Sequence, residues 1–418
     1  MFKVGKKDAF MANTGFLPVL LGSDQNVYGM ARCFHEEYGI SSVAIGKGRL
    51  PATADSRIVQ VVKAEPNIED DEVFVSVMTE FYSSHKDVAL ILVPCGDNYT
   101  KLVSRNRDRI KDMYRFAVPD YDLLMKLSLK ENFYKMCDEY GFLYPGTAEV
   151  TYDTKDTFVP SFGFPVVVKA SNSVAYWNCS FAGKKKVFVI QDKAEFDAVI
   201  QAIYSSSYRD TLIVQEFIPG DDSQMRVVNA YVGNDGKCRM ICMGNVLLEE
   251  HTPEGIGSYA AIISGSDREM EDRLVNFFET IGYHGFINID MKKDPRDGQY
   301  KLFETNPRQG RSSFFVCAAG YNLAKFLVQD VYENKYHDCV HADNECLWTT
   351  VPKGIIYKYV SDKELVAKAK TLSKKGKCLR QLWYGPDMGL KRTLRFVAGQ
   401  YNYYGKYKKY FGKRGYND

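Results

Sequence analysis

Asp290, Glu304 and Asn306 are the residues of this 418-residue chain whose types and spacing point most directly to chemistry. They fall in Gly285-Phe-Ile-Asn-Ile-Asp290 and Tyr300-Lys-Leu-Phe-Glu304-Thr-Asn306, two short apolar runs. Between them lies Lys293-Asp-Pro-Arg-Asp-Gly298, with the Pro and Gly that a hairpin turn needs. Side chains alternate along a strand, so Glu304 and Asn306 share a face, and pairing of the two runs brings Asp290 to them. Three hard oxygen donors at one point suit a divalent cation such as Mg2+, whose shell phosphates and water complete. Arg308 and Arg311 come next, where anionic oxygens would be held. Spacing alone leaves a surface hairpin with solvated acids as a competing reading.

The elements that must position these residues can be read in order. Phe16-Leu-Pro-Val-Leu-Leu21 is a buried strand, Asn26–Glu37 has helical apolar spacing, and Gly39–Ile45 is a second strand. Strand, helix and strand with tight turns predict a parallel βαβ unit, which Val88–Pro94 extends. Asp24 and Asp97 lie just past strand ends, where such sheets bind ligands, although helix capping explains each as well. A boundary falls near Val118-Pro-Asp120, and Asp122–Tyr140 is strongly helical, with Lys130 inside it. Phe164-Pro-Val-Val-Val-Lys169 is an apolar strand that ends in a lysine, whose ammonium needs a polar destination. Thr211–Glu216 is a further strand, running into Phe217-Ile218-Pro-Gly220. Met225–Val232 and Cys238–Val246 form a hairpin around Gly233-Asn-Asp-Gly236. Glu249–Tyr259 is polar and carries glycine, so a mobile loop able to close over reactants is expected, with its His251 taken as incidental. Helices are expected over Asp267–Ile281 and Leu323–Asn334.

Taken together, Lys130, Lys169, Glu216 to Ile218, Asp290, Glu304, Asn306 and Arg308 resemble, in order and separation, the motif set of the ATP-grasp ligases. These enzymes join a carboxylate to an amine through an acyl phosphate. The resemblance covers about residues 122 to 335. Pro18–Tyr28, the glycine-free Lys169–Trp177 segment and the Tyr-rich carboxyl end narrow it to the D-aspartate ligase group of peptidoglycan precursor enzymes. The resemblance implies an α/β (α+β) ATP-grasp fold with a Rossmann-like domain over 1–120, an ATP-grasp domain over 121–345 and a basic C-terminal region over 346–418. Its lid would span about 145–218.

By the same resemblance, Lys130 and Lys169 contact ATP phosphates, and Glu216, Phe217 and Ile218 hold adenine through an acceptor and a backbone donor. Asp222, or Asp221, would take the ribose. Asp290, Glu304 and Asn306 would hold Mg2+, as two ions with Mn2+ as a substitute. Arg308 would steady the acyl phosphate, while Arg311 or Ser312 would hold the substrate's other carboxylate. The implied reaction couples the β-carboxylate of D-aspartate to the lysine side chain of a peptidoglycan precursor, giving an amide, ADP and phosphate. The segment after Lys169 departs from the usual pattern, with no glycine until Gly183 in place of a Gly-rich phosphate loop.

Composition bounds the alternatives. At 45% apolar and 26% charged, the chain suits a globular protein of two or three domains, and no apolar run spans a bilayer. No secretory signal is evident and the ten cysteines form no Cys-x-x-Cys pair, so a cytoplasmic protein with free thiols and no zinc is expected. From Lys353 onward there are seventeen Lys and Arg against four Asp and Glu. Lysine interleaved with tyrosine there suits an anionic substrate or membrane face, with no nucleic-acid fold beside it, and a helix packed on the core is expected. The rival readings are an ATP-grasp ligase for other amino-acid or amine substrates and a non-catalytic nucleotide-binding docking protein. Bicarbonate-dependent carboxylation is disfavoured because no biotin-carrier segment is present.

Overall fold

The apolar runs resolve into three sheets. The computed structural model describes residues 14–411 apart from 172, 186, 253, 254 and 256. β1 (Phe16–Leu21), β2 (Ser42–Gly46), β3 (Val59–Ala64) and β4 (Ala89–Pro94) form a parallel sheet in the order β3-β2-β1-β4. β1 is buried along its whole length, as a strand covered on both faces must be. The helix Gln25–Tyr38 follows it, with the Asp24 carboxylate accepting from the N–H groups of Asn26 and Val27 and Gly39 closing the helix at φ 68°. Asp24 is thus a helix cap. β3 is a strand the apolar pattern does not announce, because Gln60 and Lys63 interrupt it.

β5 (Thr147–Val150), β6 (Val166–Ala170), β7 (Phe188–Ile190) and β8 (Leu212–Glu216) form an antiparallel sheet, order β5-β8-β6-β7. Val166, Val168 and Val214 pack under Phe196 and Ile200 of the helix Lys193–Tyr204. The segment after β6 contains a short helix, Ser173–Asn178, while Asn172 lies outside the described residues.

The third sheet holds β9 (Met225–Val232), β10 (Cys238–Glu249), β11 (Tyr259–Gly265), β12 (Gly285–Lys293), β13 (Tyr300–Asn306), β14 (Val340–His341), β15 (Leu347–Thr349) and β16 (Cys378–Arg380). Its order is β13-β12-β9-β10-β11-β15-β16, with β14 also on β10. Residues of β9 alternate between two cores, as the two-residue period of a strand requires. Val228, Ala230 and Val232 meet Phe133, Leu274 and Phe277 of the helices Lys130–Tyr140 and Arg268–Thr280, whereas Val227 and Tyr231 share a core with Val27 and Tyr28 beside β1. The first sheet's helix and the third sheet are therefore packed as one interior.

The basic C-terminal region belongs to the third sheet. β15 pairs antiparallel with β11, and β16 runs parallel to β15. Tyr407 of the C-terminal helix, Leu390–Tyr410, joins Leu247, Ile263 and Ile355 in a further core, so the charged helix is packed on the body of the molecule. Among the described residues no helix is long and apolar enough to cross a membrane.

Candidate active site

β12 and β13 pair antiparallel, with Asp290 directly opposite Glu304 and Asn288 opposite Asn306. Directly paired residues project to one face, so all four side chains crowd together. The register shifts between Asp290 and Met291, leaving Phe303 unmatched; such bulges re-aim neighbouring side chains. Gly285 opens β12 at φ 93°, and a Cβ there would collide with the Ala117 carbonyl, which wedges the hairpin against the chain leaving the first sheet.

Two lysines from distant parts of the chain reach this face. Lys130, the first residue of its helix, places Nζ 2.8 Å from Glu304 Oε2, and the two side chains keep 34% and 42% of their surface open. Lys169, near the end of β6, donates to Gln215 Oε1 at 3.1 Å and lies beside Lys130. Burial and the Lys130 charge pull the Lys169 ammonium down to about 7. Burial would raise Glu304, but Lys130 and Lys169 outweigh it and hold its carboxyl below the usual range. Asp290 goes the other way, lifted by burial and by the Glu304 charge to about 7, with Tyr259 Oη donating to its Oδ1 at 2.6 Å.

The three oxygens expected to converge do so only in part. Asn306 turns its amide nitrogen to Asp290 Oδ2 (3.0 Å) and Asn288 Oδ1 (3.1 Å), and its oxygen receives Arg308 Nη2 (3.1 Å). Among the described residues no group of three or more His, Cys, Asp or Glu is arranged so that it could hold a metal ion by itself. The physical reason is repulsion: two adjacent carboxylates attract whatever positive or N–H groups lie near, here Lys130 and the Asn306 amide. The donor set nevertheless fits a hard divalent cation, since two carboxylates and an amide share one face, and burial with the neighbouring Glu304 charge leaves Asp290 short of the positive charge a cation would supply. Arg308 also makes a two-pronged pair with Asp97, the first residue of the helix after β4, Nε to Oδ1 at 2.8 Å and Nη2 to Oδ2 at 3.1 Å. Asp97 thereby meets the site through Arg308.

The remaining predicted residues are placed differently. The Glu216 carboxylate accepts from the Gly146 N–H (3.1 Å) and from Arg296 Nη2 (2.5 Å), with Lys301 Nζ at 3.5 Å. It is committed to those partners and is not turned to receive an adenine amino group. Phe217 N–H donates to the Pro165 carbonyl and the Ile218 carbonyl receives Lys292 Nζ, so of the backbone groups of Phe217 and Ile218 the Ile218 N–H and the Phe217 carbonyl are without a hydrogen bond among the described residues. Asp222, expected at a ribose, instead accepts from the Glu249 N–H at 2.8 Å and pairs with His251 Nε2 at 3.3 Å. His251 is accordingly buried rather than an exposed loop residue. Arg311 donates to the Tyr259 carbonyl at 3.1 Å and lies 3.4 Å from Glu250, one strand end away from Asp290. Residues 253, 254 and 256 of the expected closing loop lie outside the described residues.

Residues 130–330 match the family described as carbamoyl-phosphate synthase L chain, ATP binding domain. Over 96% of its length the chain is 40% identical to the D-aspartate ligase of Enterococcus faecium, of which it covers 97%. The chain belongs to the D-aspartate ligase family. It is an ATP-dependent carboxylate–amine ligase that forms a C–N bond, on an ATP-grasp fold. The fold is also that of the N5-carboxyaminoimidazole synthetase of Staphylococcus aureus, at TM-score 0.56 and 13% identity over 78% of this chain and 79% of that one. A biotin carboxylase domain of Hydrogenobacter thermophilus 2-oxoglutarate carboxylase, solved with MgADP, ADP and bicarbonate, gives TM-score 0.56 and 14% identity over 80% and 73%.

Within this ligase two further residues, Lys292 and Gln215, support the candidate site without having stood out in the sequence. Lys292 lies on the Asp290 face of β12 and spans the Ile218 and Gly220 carbonyls at 2.8 and 2.7 Å, tying the linker to the hairpin. The two-residue alternation Asn288, Asp290, Lys292 was the signal that marks it. Gln215, buried at 2% exposure, orients Lys169 and donates in turn to Tyr134 Oη at 2.8 Å. A glutamine inside the apolar run Leu-Ile-Val-Gln has to find such partners.

Proposed function

We propose that this ligase activates the β-carboxylate of D-aspartate with ATP and couples the acyl group to the lysine side-chain amine of a peptidoglycan precursor, releasing ADP and phosphate. One observation carries the reading: Lys130, Lys169, Asp290, Glu304 and Arg308, from far-apart segments, meet in a single ionic group at the open end of one hairpin. The choice of substrates is supported by the identity to the Enterococcus faecium D-aspartate ligase.

In this reading Lys130 and Lys169 receive the triphosphate, and the Ile218 N–H with the Phe217 carbonyl meets the adenine edge. When bound, two Mg2+ ions, or Mn2+ in their place, would neutralise phosphate oxygens, held by Asp290, Glu304 and Asn306. Arg308 exchanges Asp97 for the acyl phosphate and for the tetrahedral species formed as the amine attacks. Arg311 takes the amino acid's second carboxylate in place of Glu250. Residues 1–120 and 121–345 act as two units in the cytoplasm, with 346–418 extending the second through β15 and β16 and 145–218 closing as a lid. The test is ADP release from ATP with D-aspartate, L-aspartate and other amino acids, with and without a lysine-bearing stem peptide. D-Aspartate plus peptide is expected to be fastest. Preference for another amino acid or amine would move the substrates within the family, and no release with any of them would sink the ligase chemistry proposed for this site.

The C-terminal helix favours a second, peripheral role. Leu390, Leu394, Val397, Tyr401 and Tyr404 are all exposed at alternating spacings of four and three, which lines them up along one face. Six Lys and Arg and no acid occur in that helix. An apolar stripe flanked by cations suits the surface of an anionic bilayer. Co-sedimentation with phosphatidylglycerol vesicles, lost with phosphatidylcholine alone, is the expected result; equal or absent binding to both would remove this role, and concentration-dependent self-association would assign the stripe to a second copy of the chain.

A further inference from the structure

A cavity of about 320 Å3 lies between the C-terminal helix and the segments that follow β1, β2, β15 and β16. Gln25, Ala52, Thr350, Arg395, Gln400 and Lys406 are among its lining residues. Its size is that of a small-molecule or peptide site. Three cations line it, Arg392, Arg395 and Lys406, and no carboxylate does.

The two arginines build the wall. Arg392 donates to the Ala52 and Ala54 carbonyls at 2.9 and 3.1 Å, lies 3.1 Å from Asp387 and covers the Tyr28 ring. Arg395 holds Asp55 at 2.5 Å. Lys406 has no carboxylate in ion-pair reach among the described residues; its Nζ sits 5.5 Å from the Tyr403 ring centre. Gln400 donates to the Thr350 carbonyl at 2.7 Å, while its own amide oxygen is buried with no hydrogen-bond partner among the described residues. With Arg392 and Arg395 paired to Asp387 and Asp55, the Lys406 ammonium is the cation of the lining without a carboxylate partner among the described residues, which matches a ligand that carries anionic oxygens.

The cavity shares a wall with the catalytic face. Tyr403 Oη donates to Glu250 Oε1 at 3.2 Å, Glu250 pairs with Arg311 at 3.4 Å, Arg311 donates to the Tyr259 carbonyl, and Tyr259 donates to Asp290. A ligand in the cavity is thus linked to the reacting end through four residues, Tyr403, Glu250, Arg311 and Tyr259, so only a part of the acceptor remote from the reacting nitrogen would lie there. We propose that this cavity holds the anionic end of the amine acceptor, the carboxylate or phosphate oxygens remote from the attacking nitrogen. The inference rests on the ligase reading above and adds to it where the acceptor is recognised.

Hydroxylamine separates the two. It is a small amine with no anionic end, and its nitrogen attacks the acyl phosphate carbonyl; the C–O bond to phosphate breaks, phosphate leaves, a proton is released and a hydroxamate forms. In the full-length protein, Lys406→Glu should raise the KM for a lysine-bearing stem peptide by about tenfold or more, the worth of one charge-assisted contact. Hydroxamate formation from D-aspartate and the KM for ATP should stay at wild-type levels, and Lys406→Arg should restore the peptide KM. A stem peptide with amidated carboxylates that loses the Lys406 dependence assigns a carboxylate; recovery of that dependence by an added phosphoserine assigns a phosphate. An unchanged peptide KM in Lys406→Glu with hydroxamate intact overturns the cavity assignment alone. Absence of hydroxamate from the wild-type protein with every amino acid overturns the ligase reading and this inference with it.

Discussion

The β12–β13 hairpin carries a charged cluster at each end, and the two are built on opposite principles. At the turn, fully buried Asp294 accepts from the Arg296 N–H and guanidinium and lies 3.1 Å from Lys301, while Glu216 faces the same two cations. Two acids and two bases alternate, and the Arg296 guanidinium holds the Asp294 carboxyl well below the usual range. At the open end like stands beside like, carboxylate by carboxylate and ammonium by ammonium. Asp290 is consequently lifted to about 7 and Lys169 pulled down to about 7. A matched cluster fixes geometry, here the join between β8 and the hairpin. At the open end Glu304 already has Lys130 at 2.8 Å, whereas Asp290 and Lys169 have no ion pair among the described residues and are left to charges brought from outside, which is what a triphosphate with its cations supplies.

The contrast is broken most severely at Asp290. Asp290→Asn keeps the shape and the contact with Tyr259 but removes the charge that crowds Glu304. ADP formation should fall by about 10³-fold, the scale on which charge-stabilising groups act. The melting temperature should hold or rise, because the like-charge pair is gone. A fall of several degrees with turnover retained would make the open end structural after all.

The matched end should respond in the reverse sense. Asp294→Asn leaves Arg296 and Lys301 without their buried carboxylate, and breaking such a buried pair costs about 3 kcal/mol. Thermal unfolding should register that loss while the turnover number of the surviving folded enzyme remains near wild type. Equal stability of the variant would mean that Glu216 alone carries the turn.

How much of this was legible in the residues follows from the range of each interaction. The hairpin and its acids could be read because the turn chemistry of Lys293–Gly298 and strand alternation are local. Lys169 could be read because an apolar strand that ends in an ammonium poses its own question. Glu216 was read as a nucleotide contact because its partners, Arg296 and Lys301, lie some 80 positions on in a different sheet, and no local pattern announces them. Asp222 is the same case, its partner His251 lying on a segment read as an exposed loop. β15 and β16, three residues each, gave no periodicity to detect, so a chain end that extends the third sheet looked like an addition to it. Orientation was the least legible feature, since which way the Asn306 amide turns depends on Arg308 and Asp290 together.

The comparison can be sharpened further by counting protons. Lys169, at about 7, is partly neutral near neutral pH, and a neutral amine does not pair with phosphate oxygens. A bound triphosphate favours the charged form and lifts its pKa, so nucleotide binding takes up a proton. Affinity for ATP should therefore weaken as pH rises above about 7, approaching tenfold per pH unit until the pKa of the bound form is reached. Asp290 acts with the opposite sign, because a cation arriving there displaces its proton; metal-free ATP isolates the lysine. Titration calorimetry in two buffers of different protonation enthalpy, between pH 7 and 9, reads the uptake directly. Lys169→Met should abolish uptake and flatten the pH dependence, whereas Lys301→Met, in the matched cluster, should lower stability and leave uptake unchanged. Uptake that survives Lys169→Met would move the titrating group elsewhere and erase the distinction between the two ends of the hairpin.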